Sequence, residues 1–177
     1  MRISDILARK KSRILEEWFK TVIETYAQDT AHFLKNQKDP FANPVGSNIV
    51  SGLTSLLEFL INPADNPDVD AFIDKIIRIR AVQTMFSPSQ ATKFIFDVKK
   101  IIRNTLEKEL HTTDEYKQLA ALEDHIDFLA LKAFDIFVGC REKIYELKAN
   151  QEKRRMYTAL ERAGLITGVQ GGESQEI

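Results

Sequence analysis

Apolar residues recur every three or four positions over most of this chain, the spacing that places them on one face of a helix. Ile6, Leu7, Ile14, Leu15, Trp18, Phe19, Val22, Ile23 and Tyr26 form the first such stripe and predict one helix from about Ser4 to Tyr26. Ala31, Phe33 and Leu34 add a short turn before the polar break KNQKDP. Val45, Ile49, Leu53, Leu56, Leu57 and Leu60 predict a helix over Pro44–Ile61, with Asn43 as its cap and Pro44 in the first turn, where a missing N–H costs nothing. NPADNPD ends it, and Asp68 or Asp70 opens another helix through Val82, carrying Phe72, Ile73, Ile76 and Ile77.

Ser87, Pro88 and Gln90 have the spacing of a capping box, so SPSQ starts a helix to about Leu110 that buries Phe94, Ile95, Val98, Ile101, Ile102 and Leu106. Thr112 and Glu115 repeat that spacing ahead of a last helix from Asp114 to Arg162. Its stripe is Leu119, Leu122, Ile126, Leu129, Ala133, Phe137 and Cys140. Beyond Cys140 the chain turns mostly charged, with only Ile144, Leu147, Met156 and Leu160 continuing, which suits a projecting helix or a coiled-coil-like dimer arm. Gly164 suits a left-handed cap, and VQGGESQEI reads as a disordered tail. The expectation is an all-α protein of five or six helices ending in a long one. Residues 1–145 form the helical domain, 146–163 the projecting end and 164–177 the tail.

Punctuation agrees with this. All five prolines lie between Pro40 and Pro88, and Ser89 to Ala163 holds a single glycine, Gly139. The 177 residues suit one domain, with 44% apolar and 29% charged residues as in globular proteins. A net charge of −1 gives no general attraction to nucleic acid or an anionic membrane. Cys140 is the only cysteine, which excludes an internal disulfide and a cysteine-rich zinc site. The N-terminus lacks the apolar run of a signal peptide, and no stretch approaches the ~20 apolar residues of a membrane span. A cytoplasmic location without membrane insertion is expected.

Candidate chemistry is sparse. His32, His111 and His125 are far apart, and none has a second histidine or cysteine at ligand spacing, so no metal is expected. Eleven phenylalanines on several helices suggest a globin-like shape, but only one helix follows His111 or His125 where a haem protein has two, so no haem is expected either. There is no G-x-S-x-G elbow, phosphate loop or dinucleotide-binding glycine pattern, and an enzyme is not expected. The basic groups Arg9-Lys10-Lys11-Arg13 and Lys153-Arg154-Arg155 are compensated by neighbouring acids and read as solvated faces rather than nucleic-acid contacts. Arg78 and Arg80, in the apolar helix end IIRIRAVQ, differ. One of them is expected to be partly buried against a carboxylate such as Glu58 or Asp97, with an internal anion or ligand contact as the alternative. With His125 they are the candidate ligand contacts.

FANPVG at 41–46 and SPSQATKFIFDVKK at 87–100, preceded in order by ILEEWFKTVIETYAQDTAHFL, resemble the N-terminal domain of the RsbR/RsbD-type co-antagonists of the bacterial stress-response kinase RsbT. The resemblance covers about residues 5–145 and implies an all-helical regulatory input domain, globin-like without haem, that dimerises and binds proteins rather than catalysing. Such domains are often joined to a STAS or kinase output domain. Here only residues 163–177 follow the last helix, so the expectation is an input module without a covalent output, passing its signal to an unidentified regulatory protein. The motif residues Phe41, Asn43, Pro44, Gly46, Ser87, Pro88 and Ser89 are expected to serve the fold as cap-plus-proline devices, with Gly46 letting another helix approach. Trp18, Tyr26, Ile144, Leu147, Met156 and Leu160 are the candidate homodimer contacts. The other functions considered are a small-ligand or haem sensor and an adaptor for a redox or energy-metabolism complex.

Overall fold

The computed structural model describes residues 2–63 and 69–166. Among them are seven α-helices and no strand: α1 Ile3–Arg9, α2 Lys11–Ile23, α3 Gln28–Asn36, α4 Pro44–Ile61, α5 Val69–Val82, α6 Pro88–Leu106 and α7 Thr113–Arg162. The all-α class and the long last helix agree with the sequence; the number of helices does not. Two of the differences lie at the start of the chain. The helix expected over 4–26 is broken at Lys10 (φ −101°, ψ 9°), and the turn at 31–34 is a full helix, α3.

Periodicity carries no trace of the break, because Leu7 and Ile14 are about two turns apart and stay in phase. The cause is tertiary. Lys10 Nζ reaches the Thr105 carbonyl at 3.0 Å and Glu109 at 2.8 Å, which ties the break to the end of α6. The lysine also draws the Glu109 carboxyl below its ordinary range. At the other end α6 stops at Leu106 rather than Leu110, and Leu110 folds back into the core from the turn that follows. Asp68, one of the two expected openers of α5, lies outside the described residues.

The chain divides into two compact units, Met1–Cys140 and Arg141–Ile177. In the first, α4 packs on α5 and α2 packs on both α6 and α4. Gly52 makes the α4–α5 approach tight: a Cβ there would lie 2.8 Å from Ile76 Cδ1 and 3.3 Å from the Phe72 carbonyl oxygen. By length and composition α4 is apolar enough to cross a membrane, and its stripe Ile49, Leu53, Leu56, Leu57 and Leu60 lies in the core. The part of α7 before residue 141 buries Leu119, Leu122, Ile126, Leu129, Ala133 and Phe137. Its rim is pinned by Arg103–Glu123, Lys99–Asp127 and Lys132–Asp70 ion pairs at 2.5–2.6 Å.

Caps define the helix starts. Asn43 is buried and has two roles: Oδ1 accepts from Gly46 N at 2.8 Å, and Nδ2 donates to the carbonyls of Leu34 (3.1 Å) and Gln37 (2.9 Å). It joins the end of α3 to the start of α4. Gly46 leaves room for this side chain rather than for another helix, since a Cβ at 46 would sit 2.3 Å from Asn43 Nδ2. Asn43→Ala orphans one N–H and removes a donor from two carbonyls, so it should cost about 2 kcal/mol in a denaturant melt.

Glu115 closes α7 from the inside. Its Oε2 accepts from the backbone N–H groups of His111 (2.8 Å) and Thr112 (3.0 Å), while its own N–H donates to Thr112 Oγ1 at 3.3 Å. The two backbone donors favour the ionised form and hold the carboxyl below its ordinary value. The stabilisation is therefore present above the ordinary glutamate value of about 4.3 and is lost as pH falls through the lower, folded-state value. Glu115→Gln should flatten the acid limb of stability against pH, read by urea melts along a pH series.

In the second unit Arg141 stacks on and donates to Tyr145 (2.9 Å), and the ion pairs Lys143–Glu146 and Glu152–Arg155 run along the same helix. Gly164 (φ +66°) ends α7 as expected. Gly164 N donates to the Glu161 carbonyl and Leu165 N to that of Leu160, both at 3.0 Å, the paired bonds of a Schellman cap.

Candidate functional site

The most unusual chemistry among the described residues is at the end of α5. Ile73, Ile76, Ile77 and Arg80 share one helical face by their spacing, and that face is the buried one. Arg80 is accordingly 0% exposed, while Arg78 points to solvent and pairs with Asp74. One arginine is thus an ordinary surface residue and the other is in the core.

Among the described residues Arg80 has no carboxylate within ion-pairing distance. Of the two expected partners, Glu58 pairs with Lys11, and Asp97 pairs with Lys93 while still favouring the Arg80 charge through space. Carbonyls and rings hold the guanidinium instead. Nη1 donates to the Gln90 carbonyl at 3.2 Å and approaches that of Ala91 at 3.5 Å; Nη2 donates to the Val22 carbonyl at 3.2 Å and to Thr25 Oγ1 at 2.9 Å. The Val22 carbonyl lies in the last turn of α2, where the helix dipole favours a cation. Phe86, Phe94 and Tyr26 surround Cζ with centroids at 4.7, 5.1 and 5.6 Å, within cation–π range. Burial pushes the pKa of Arg80 down and that of Tyr26 up. The arginine stays charged and the phenol stays protonated at neutral pH.

The aromatic residues link this site to the core. Trp18 Nε1 donates to the Phe94 carbonyl at 2.8 Å and its ring lies 6.4 Å from that of Phe94; Tyr26 meets Phe86 edge-on at 5.3 Å. Trp18 is fully buried and Tyr26 only 8% exposed, so neither is a dimer contact. Their stripe on the first helices is the core face, and an apolar stripe alone does not tell core from interface.

The SPSQ motif also leads here. Ser87 Oγ accepts from Gln90 N at 3.3 Å, Gln90 Oε1 accepts from Ser87 N at 3.0 Å, and the two serine hydroxyls lie 3.1 Å apart. This capping box, with Pro88 in the first turn, forms the turn whose Gln90 and Ala91 carbonyls face Arg80. Ser87→Ala should cost about 1 kcal/mol in a denaturant melt. Loss of partner binding at unchanged stability would contradict a purely capping role. In FANPVG, Asn43, Pro44 and Gly46 serve the start of α4, whereas Phe41 is 96% exposed on a turn held by its N–H donating to Asp39 Oδ1 at 3.0 Å.

The remaining candidates do not converge on this site. His125 is exposed at the rim of an open cleft of about 340 Å³ lined by Ile3, Leu7, Leu60 and Leu122, with Arg2 on the same rim. In the second unit Leu147 and Met156 are 59% and 56% exposed, and Ile144 and Leu160 are half-buried. At about 100° per residue Leu147 and Met156 lie on opposite sides of the helix, so these four residues form two short patches rather than one stripe. Among the described residues no group of three histidine, cysteine or acidic side chains is placed to hold a metal.

The fold defines an all-helical domain with a cationic, aromatic-lined core. The family model described as the RsbT co-antagonist protein rsbRD N-terminal domain matches residues 12–152, and the chain belongs to that family. It is related in this way to regulatory domains of the stress-signalling assembly. No curated protein and no solved structure matches the chain.

Proposed function

We propose that this domain is a non-enzymatic, cytoplasmic input module of bacterial stress signalling that works by protein–protein contact as a homodimer. The family match over residues 12–152 carries this reading. The exposed Leu147 and Met156, on opposite sides of the second unit's helix, support two contact patches there. A globin-like arrangement without haem, as the family resemblance implies, belongs to the same proposal. Co-purification of the tagged chain from its native host tests it: a stress-regulatory protein recovered in stoichiometric amount supports it, and the chain recovered alone counts against it.

The cleft beside His125 favours a second reading, a sensor for a small apolar ligand. Its discriminator is the absorption spectrum of freshly purified protein. A Soret or flavin band supports the sensor, whereas a bare protein spectrum leaves the contact module ahead.

A further inference from the structure

The open cleft of about 340 Å³ in the first unit has two kinds of lining. Its floor is apolar: Ile3 and Leu7 of α1, Leu60 at the end of α4 and Leu122 of α7. Its rim is polar and cationic, with Arg2 and His125 both exposed. Among the described residues no acidic side chain lines it. Gln118 fixes the spacing of the α1 and α7 walls, since its Oε1 accepts from Ile3 N at 3.0 Å and its Nε2 donates to Asp114 Oδ2 at 2.7 Å. Among the described residues neither the Arg2 guanidinium nor the His125 ring has a hydrogen-bond or ion-pair partner. A guanidinium keeps its charge throughout the physiological range, and an imidazole presents an N–H in either protonation state.

We propose, resting on the small-ligand reading of this cleft, that it binds a single-chain amphiphile with an anionic head, of which a medium-chain carboxylate is the simplest example. The volume is at the lower end of the range of about 300–1,000 Å³ for small-molecule sites, which suits one alkyl tail and is too small for a two-chain lipid. A tail laid on the leucine and isoleucine floor takes its own surface and theirs out of water. The head is then at the rim, where Arg2 offers a carboxylate two parallel N–H donors and His125 offers a further one. Charge selects the class of ligand. A neutral head forgoes the charge-assisted bond, and a cationic head meets Arg2 with no acid in the lining to offset it. Tail length sets affinity, and head charge sets specificity.

The test is calorimetric titration of the full chain with hexanoate, octanoate and decanoate below their micelle concentrations, with 1-octanol and octyltrimethylammonium as head-group controls. One carboxylate per chain is expected, binding about three- to fourfold more tightly per added methylene until the cleft is full. Octanoate should bind at least about tenfold more tightly than the alcohol or the ammonium. Arg2→Ser combined with His125→Ala should remove that preference, weakening octanoate about tenfold and leaving octanol unchanged. Both positions are exposed, so the melt should not move. Ala121→Glu, which sets a carboxylate at an exposed edge of the lining, should abolish carboxylate binding. Octanol bound as tightly as octanoate would overturn the anionic-head proposal and leave the small apolar ligand standing, whereas no binding of any probe would overturn both. Equal octanoate affinity in wild type and both variants would put the carboxylate elsewhere and overturn the proposal. Pelleting with phosphatidylglycerol vesicles without binding of free octanoate would overturn it in favour of a membrane surface.

Discussion

Trp18→Ala should lower the unfolding free energy by about 3–5 kcal/mol, the range for removing a large aromatic side chain from a close-packed core. The indole lies fully buried between α2 and α6 and fastens the two through its bond to the Phe94 carbonyl. For a chain of this length such a loss corresponds to a fall in Tm on the order of 10 °C, measurable by calorimetry. Trp18→Phe separates the contributions. It keeps most of the apolar volume and loses the Nε1–H bond, so it should cost only about 1–2 kcal/mol. An alanine variant as stable as wild type would mean that Trp18 faces solvent or a partner.

Arg80→Ala is the second large effect, at about 3 kcal/mol. Two contributions oppose each other here. Truncation opens a cavity among Tyr26, Phe86 and Phe94 and strips a donor from the Val22 and Gln90 carbonyls, which together favour a loss of several kcal/mol. It also removes a desolvated charge, which returns part of that loss. The carbonyls keep their helical partners, so the cavity dominates. Arg80→Met fills that cavity without the charge and should cost about 1–2 kcal/mol less than the alanine variant. Urea melts of the pair read the difference. Equal costs for alanine and methionine would place the energy in the hydrogen bonds rather than in the packing.

Much of the helical layout was legible in the sequence, for identifiable reasons. Pro44–Ile61 appears with the predicted ends because Asn43, Pro44 and the polar break after Ile61 are local signals. The starts of α6 and α7 are legible for the same reason, through two capping boxes. What escaped depends on distant contacts. Lys10 breaks the first helix by reaching α6. Asn43 owes its second role to carbonyls at the end of α3, and Gly52 its constraint to Ile76 on α5.

The candidate site was half legible. The seven-residue step from Ile73 to Arg80 places that arginine on the buried face, a signal that would have separated it from Arg78. That its hydrogen bonds go to carbonyls and a threonine hydroxyl, with ring faces around it, follows only from packing α2, α5 and α6 together. Trp18 and Tyr26 show the converse error, since a stripe that marks a core reads the same as one that marks an interface.

The claim that this domain acts through contact with a second copy and a regulatory partner is tested most directly by its mass in solution. Sedimentation equilibrium at tens of micromolar should give twice the 20.3 kDa of one chain, and charge substitutions at Leu147 and Met156 should return it to one chain without changing the melt. A single-chain mass for the wild type at that concentration would contradict the account.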